Sequence, residues 1–169
     1  MQSLNIAIEH AGSLSQIYIP SGIHSLKFLE YMNESVLLCG INALQVDAVN
    51  LEKLESHAVI RASDLSSMLF AINGDNKIKN LVIDCRNVSI GFIIKSGSVS
   101  FENCLIFGLK SSSGAEAFNL SGECSLRLEN CVISHFGTAF DVTSSTLNLV
   151  NCIIKDCGTG IVMSEATSS

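Results

Sequence analysis

Hydrophobic and polar residues alternate over short runs in the C-terminal half of the chain, and these runs recur. The run VSFENCLI at 99–106 returns as LRLENCVI at 126–133 and as LNLVNCII at 147–154. A degenerate copy, IKNLVI, precedes them at 78–83. Alternation over so few residues predicts short strands with one buried face. Recurrence at this spacing predicts a solenoid.

Each repeat has a second half that begins with a small residue. The segments GFII at 91–94, AFNL at 117–120, AFDV at 139–142 and GIVM at 160–163 align with one another. One repeat is therefore a short strand, a small-residue corner, a second strand, a Ser/Gly turn and a third strand. A full coil supplies the long crossover that parallel pairing requires, so each strand pairs with its equivalent one repeat away. We predict an all-β fold, a right-handed parallel β-helix (β-solenoid) of the pectin-lyase-like type.

Stacked coils give the repeated residues structural roles. The asparagines recur after 23, 27 and 21 residues, and they predict an amide ladder at a tight corner, because asparagine tolerates left-handed backbone. The cysteines that follow them predict a ladder of small apolar thiols. The predicted ladder residues are Asn80, Asn103, Asn130, Asn151, Cys104, Cys131 and Cys152. The side chains predicted to stack in the core are Ile83, Ile106, Ile133, Ile154, Phe92, Phe118 and Phe140.

We expect one domain over residues 1–169, in three parts. Residues 1–30 form a cap and first coil, with a helix that Ser3 caps and Gly12 ends, because a solenoid needs its exposed core closed. Residues 31–75 form irregular coils with candidate strands at 36–41, 59–62 and 69–72, while 51–57 reads equally as strand, loop or helical turn. Residues 76–169 form the regular Asn-Cys coils. The small, polar end of the chain suggests a piece of a longer protein.

The rival architecture is the leucine-rich repeat, whose cysteine-type consensus shares the spacing of LRLENCVI. That consensus also places a leucine three residues before the first of these leucines. The corresponding positions are Ser96, Glu123 and Ser144, all of them polar. The pattern therefore favours the β-helix.

Composition narrows the function classes. Of 169 residues, 47% are hydrophobic and 15% are charged, with a net charge of −6. These values exclude a disordered chain, and they argue against nucleic-acid binding because no basic stripe is available for phosphates. The sequence has no apolar run long enough to span a membrane and no signal peptide. Seven cysteines, an odd number, favour reduced thiols in a cytosolic or nuclear protein.

The candidate catalytic residues are few. Polysaccharide-active β-helices cluster carboxylates on neighbouring coils for acid–base work. Here Asp84, Asp141 and Asp156 fall at non-equivalent points of their coils, and we expect them on the solvated surface. We expect His135 on an outer turn, also at the surface. The cysteine spacings lack the close pairs of a structural zinc site. We therefore expect no catalysis, no metal and no cofactor.

Basic side chains are also few. Lys77, Lys79, Arg86 and Lys95 fall on two adjacent coils and predict at most a small patch there. A solvated face is the default interpretation of such a patch, and a protein contact is the functional alternative.

Several segments resemble the C-terminal β-helix repeats of the nessun dorma and SHC SH2-domain-binding protein family. These are NCVISHFGTA at 130–139, NCIIKDCGTGI at 151–161 and the lead-in IYIPSG at 17–22. The resemblance implies a non-enzymatic scaffold of cytokinesis that binds centralspindlin, a complex of a kinesin-like motor and a Rho-family GTPase-activating protein. It also implies a cytoplasmic, cytoskeleton-associated location at the spindle midzone, midbody and intercellular bridge. A carbohydrate-binding role, toward β-galactosides, is a further property the family implies.

Two other functions stay open at this stage. A glycan-binding module or polysaccharide-active enzyme would show exposed aromatic residues and stacked carboxylates on one face, and aromatic residues are only 6% of the chain. A substrate-recognition module for ubiquitination would need an F-box elsewhere in the protein.

Overall fold

A stack of three-stranded coils forms the body of the protein in the computed structural model, which describes residues 4–26, 30–109 and 114–165. Helix α1 (Leu4–Glu9) precedes the stack. The strands are, in chain order, β1 (Ser15–Ile19), β2 (Gly22–Leu26), β3 (Glu30–Met32), β4 (Val36–Gly40), β5 (Ala58–Ala62), β6 (Ser66–Ile72), β7 (Asn76–Lys79), β8 (Val82–Asp84), β9 (Val88–Ile94), β10 (Gly97–Glu102), β11 (Leu105–Phe107), β12 (Glu116–Ser121), β13 (Cys124–Glu129), β14 (Val132–Ser134), β15 (Thr138–Thr143), β16 (Thr146–Val150), β17 (Ile153–Lys155) and β18 (Thr159–Ser164).

The strands form three parallel sheets that run the length of the stack. Sheet 1 has the order β1-β4-β7-β10-β13-β16, sheet 2 the order β2-β5-β8-β11-β14-β17, and sheet 3 the order β3-β6-β9-β12-β15-β18. Every strand pairs in parallel with its equivalent in the adjacent coil, as parallel strands joined by one full coil must. The structure confirms the predicted parallel β-solenoid with a short N-terminal helix.

The alternation of residues along each strand fills the interior. Ile83, Ile106 and Ile133 are in register on sheet 2 and are fully buried. The predicted phenylalanine stack is also present on sheet 3, where adjacent rings lie 5.0–5.1 Å apart from Phe92 to Phe140. Phe70 extends this stack by one more coil, with its ring centroid 5.5 Å from that of Phe92. Stacked rings of this kind add to the stability that their burial provides.

A second apolar cluster covers the outer side of sheet 2. Val59 and Val82 point away from the solenoid interior, yet neither is exposed to solvent. The connection between β4 and β5, residues 41–57, folds over them and contributes Leu44 and Leu54. The segment left open in the sequence, 51–57, contains the short 3₁₀ helix Leu54–Ser56. Both faces of sheet 2 are therefore buried over its central coils.

The N-terminal end of the solenoid is closed by α1. Ile8 is 5% exposed and packs into the main core, and Leu4 and Ala11 pack against the same cluster. The helix ends at Glu9, ahead of Gly12. The predicted cap residue Ser3 lies outside the described residues. This arrangement is what a solenoid requires, since its first coil would otherwise expose the apolar interior.

Candidate interaction surface

Sheet 1 carries the broadest polar outer face of the three sheets in the described part of the chain. Its side chains alternate between the buried core and solvent, as in β10, where Val99 and Phe101 are buried between the accessible Ser98 and Ser100. The outer side of sheet 2 is covered by the 41–57 connection. Sheet 1 is therefore the broad surface on which a partner has direct access to regularly spaced polar groups.

Two outward rows cross sheet 1. We call the central part of these rows the charged face, and it consists of Lys77, Lys79, Ser100, Glu102, Arg127 and Glu129. One row carries the cations Lys77 and Arg127 on either side of Ser100. The adjacent row carries Lys79, Glu102 and Glu129, and it continues through Cys39 to Tyr18. Both signs of charge thus alternate on a rigid, flat sheet.

The charges of this face are paired with one another. Lys79 Nζ lies 2.5 Å from Glu102 Oε2, and Lys77 Nζ lies 3.8 Å from the same oxygen. Arg127 donates to Glu129 Oε2 at 3.0 Å. The hydrogen bond from Lys79 lowers the pKa of the Glu102 carboxyl, and the same contact raises the pKa of the Lys79 ammonium. Glu102 is therefore held as a carboxylate at neutral pH.

An open cleft of about 640 Å³ adjoins the charged face on the N-terminal side. Its lining includes Leu14, Gln16, Leu37, Asp75, Ser98 and Ser100. Leu14 has a φ of 66° and is 84% exposed, both unusual for a leucine. The exposed ring of Tyr18 lies on the neighbouring row and donates to Gln16 Oε1 at 2.9 Å. The cleft offers apolar and polar groups side by side.

The two glutamates of the charged face stand directly above one another, a relationship that the sequence analysis missed. Glu102 pairs in register with Glu129. The signal was present in the sequence, since both residues precede a ladder asparagine in equivalent runs. Stacked carboxylates are the arrangement that polysaccharide-active enzymes use. Here each carboxylate has a basic partner, so neither is free in the way a general acid requires.

The ladder asparagines occupy one corner of the solenoid, between sheets 1 and 2. All four have left-handed backbone, with φ between 51° and 54°. Asn103 Nδ2 donates to Asn80 Oδ1 at 3.4 Å, and Asn151 Nδ2 donates to Asn130 Oδ1 at the same distance. In the preceding coil, Gly40 stands where an asparagine would, because a Cβ there would clash with the Asn80 carbonyl oxygen. These amides are structural and are not available as ligands.

The ladder cysteines follow the asparagines into the core. Cys104 and Cys131 are buried, while Cys152 is only partly buried. Burial raises the pKa of the Cys104 thiol and that of the Cys152 thiol. Thiols of this kind stay protonated near neutral pH and behave as small apolar groups. They provide no nucleophile.

The expected surface position of Asp84 is wrong. Asp84 is 3% exposed, and the guanidinium of Arg86 donates to both of its carboxylate oxygens, at 2.9 and 2.6 Å. Arg86 also lies over the Phe107 ring, 5.1 Å from its centroid. A buried carboxylate needs such a partner, since an unpaired charge in the interior is costly. Asp84 is thus part of the scaffold. Asp156 is exposed, as expected, and Asp141 is partly buried.

Two further expectations need correction. His135 is not a fully exposed residue, because its side chain is 22% exposed and its Nδ1 is buried. Its Nε2 lies 3.9 Å from Asp156 Oδ2. The predicted basic patch is also divided: Lys77 and Lys79 lie on sheet 1, whereas Arg86 follows sheet 2 and binds Asp84. The basic residues that share a surface are those of the charged face.

Neither metal sites nor spanning helices stand out in the ranges 4–26, 30–109 and 114–165. No group of three or more His, Cys, Asp or Glu side chains in these ranges is arranged to hold a metal ion. No helix within them is long and apolar enough to cross a membrane.

Comparison with known proteins gives one informative similarity. The chain is 30% identical over 158 residues to protein nessun dorma of Drosophila melanogaster, and the alignment covers 93% of this chain. The chain spans about a quarter (26%) of the length of that relative. No family model and no solved structure matches the chain. The similarity confirms the resemblance predicted from the Asn-Cys repeats: this chain is a nessun dorma-like parallel β-helix domain.

Proposed function

We propose that this β-helix is a non-enzymatic scaffold that binds a protein partner through the charged face of sheet 1. The observation that supports this most is the regular alternation of cations and anions over adjacent coils, from Lys77 and Lys79 to Arg127 and Glu129. A partner with a complementary pattern could meet several of these charges at once, without any change in the solenoid. Electrostatic complementarity of this kind provides specificity and fast association.

The absence of catalysis is part of this proposal. The best candidate for acid–base chemistry is the stacked pair Glu102 and Glu129. A general acid in glycoside hydrolysis needs a raised pKa, so that it carries a proton at working pH. Lys79 instead lowers the pKa of Glu102, and Arg127 binds Glu129. These contacts favour binding over catalysis at this face.

Cytokinesis is the biological setting we propose. The support is the similarity to protein nessun dorma over nearly the whole chain, together with the family's implied association with centralspindlin. On this proposal the domain contributes to recruiting centralspindlin at the spindle midzone, the midbody and the intercellular bridge, in the cytoplasm. The charged face is the surface that we assign to this contact.

A calorimetric titration of the 169-residue chain with reconstituted centralspindlin tests the proposal. We expect saturable binding that weakens with rising salt, because surface charges are screened. The variant Lys79→Glu, which reverses a charge on the charged face, should bind more weakly than the wild type. Absence of binding to the motor complex and to each of its two subunits would contradict the centralspindlin assignment.

Glycan binding is the second candidate, and the cleft beside the charged face favours it. Exposed Tyr18 and the polar side chains of Gln16 and Asp75 lie together there, and sugars are bound by such combinations of aromatic and hydrogen-bonding groups. A panel of β-galactosides titrated against the same chain separates the two functions. Binding to a galactoside that Tyr18→Ala abolishes, without centralspindlin binding, would replace the scaffold by a lectin-like module.

A further inference from the structure

The C-terminal end of the solenoid is open in a way that the N-terminal end is not. Strands β16, β17 and β18 are the last members of their sheets among the described residues. Val142 and Phe140 are buried in the coil before, at 1% and 0% exposure, but their in-register neighbours Met163 and Ile161 are 70% and 43% exposed. Helix α1 covers the opposite end. One end of the core is therefore bare.

We infer that this end binds a second copy of the chain, so that two solenoids meet end to end about a twofold axis. The surface involved is the terminal coil, residues 146–165. Its 20 residues match the roughly 20–30 residues per side of a standard protein interface. An extended peptide could add to only one strand edge and would leave the other apolar side chains uncovered. A second terminal coil has the same three-sided outline and covers all three edges at once.

Twofold symmetry also satisfies the backbone. Rotation about an axis perpendicular to the solenoid reverses the strand direction, so the edge strands of the two copies run antiparallel and can exchange hydrogen bonds. Exposed strand edges are otherwise sites of uncontrolled pairing. A closed dimer removes these edges from solvent and stops further growth, because the other end of each copy carries α1.

The charges of the terminal coil fit this symmetry. Only Lys155, Asp156 and Glu165 are charged between 146 and 165. Lys155 ends β17, and Asp156 follows it at an exposed corner with a φ of 55°. A twofold axis through this corner places Lys155 of each copy opposite Asp156 of the other. The pair is therefore self-complementary, which is the requirement for an isologous interface.

Sedimentation equilibrium of the 169-residue chain tests the inference. We expect the wild type to sediment at twice the 18.1 kDa chain mass. Met163→Glu should sediment as a monomer and still unfold cooperatively, because this side chain is exposed in a single copy. Leu65→Glu is the matched control, since Leu65 is 88% exposed far from the terminal coil, and it should remain dimeric.

Charge exchange tests the symmetry. Lys155→Asp and Asp156→Lys should each weaken the dimer at least about tenfold, because each places like charges opposite one another. The double variant Lys155→Asp/Asp156→Lys should return to within about threefold of the wild type. Failure of this rescue would overturn the proposed axis.

Three other outcomes would overturn the inference as a whole. One is a wild-type chain that stays monomeric at about 100 μM, far above the Kd of a standard interface. Another is a dimer that Met163→Glu does not affect. In a monomer, slow hydrogen exchange at the amides of 159–164 would show that another segment of the same polypeptide covers β18. Assemblies larger than a dimer would show open-ended contact instead of a closed one.

Discussion

Asn103 donates its side-chain amide to Asn80 Oδ1, one coil before it, and both residues have the same left-handed backbone, with φ of 52° and 54°. The contact joins two requirements of the corner, since the residue there must tolerate positive φ and must bind its neighbour along the stack. Asparagine meets both. The corner can therefore repeat at irregular intervals of 21 to 27 residues without any change in its local geometry.

Replacing Asn130 with alanine separates these two requirements. Asn130 has a φ of 53° and accepts a hydrogen bond from Asn151. We expect Asn130→Ala to lower the free energy of unfolding by about 1–3 kcal/mol, because it loses the amide and strains the backbone. Asn130→Gly, which tolerates positive φ, should lose less. Urea denaturation measures both. Equal midpoints for the two variants and the wild type would show that the ladder contributes nothing.

A charge placed in the isoleucine stack should unfold the domain. Ile133 is fully buried and in register with Ile106 on one side and Ile154 on the other. Ile133→Asp buries a carboxylate without a partner, which costs far more than the domain can lose. Ile41→Asp is the matched control, because Ile41 is 60% exposed. Circular dichroism melting should show a cooperative transition only for the control. A normal melt of Ile133→Asp would contradict the assigned register.

The buried ion pair predicts an unequal response to its two substitutions. Arg86→Leu leaves Asp84 buried without its charged partner and should destabilise the domain by about 1–3 kcal/mol, less than a fully buried pair because Arg86 is partly exposed. Adding Asp84→Asn should recover part of this loss, because a neutral amide is easier to bury. Chemical denaturation of the single and double variants measures the recovery. A double variant less stable than Arg86→Leu would contradict this account.

The Lys79–Glu102 pair predicts a pH dependence. The pKa of Glu102 is lowered in the folded state, so its stabilising contribution is present above the unfolded pKa near 4.5 and is lost as the pH falls through the folded value. The pKa of Lys79 is raised, so its contribution is present below 10.5 and is lost as the pH rises through the folded value.

The wild type should therefore exceed Lys79→Met/Glu102→Gln in melting temperature between about pH 5 and pH 10. The difference should be small, below about 1 kcal/mol, because both groups are partly exposed and solvent screens them. It should vanish below about pH 3, where the carboxyl is protonated. Lys53→Met/Glu55→Gln is a control on an exposed connection. A difference that persists unchanged at low pH would rule out the ion pair as its cause.

Features that repeat in the sequence were predictable, and features that depend on a distant segment were not. The corner asparagines, the inward isoleucines and the aligned phenylalanines follow from the alternation and the spacing of one repeat. The burial of Val59 and Val82 on the outer side of sheet 2 does not, because the connection 41–57 that covers them has no repeat of its own.

The site illustrates the same distinction. Glu102 and Glu129 were visible as equivalent residues, and only their significance was missed. Asp84 could not be distinguished from a surface carboxylate, because its partner Arg86 and the Phe107 ring beneath that arginine come together only in the folded coil. Gly40 escaped the asparagine pattern altogether, since it fills that corner position by lacking a side chain.

The most direct test of the central claim is a comparison of two charge-reversed variants in binding to centralspindlin. Lys77→Glu/Arg127→Glu reverses two charges on the charged face, whereas Lys53→Glu/Lys95→Glu reverses two exposed charges elsewhere. Calorimetric titration at fixed ionic strength should show affinity reduced at least about tenfold for the first variant and within about twofold of wild type for the second. Equal affinities of the two variants would contradict the assignment of the charged face as the partner-binding surface.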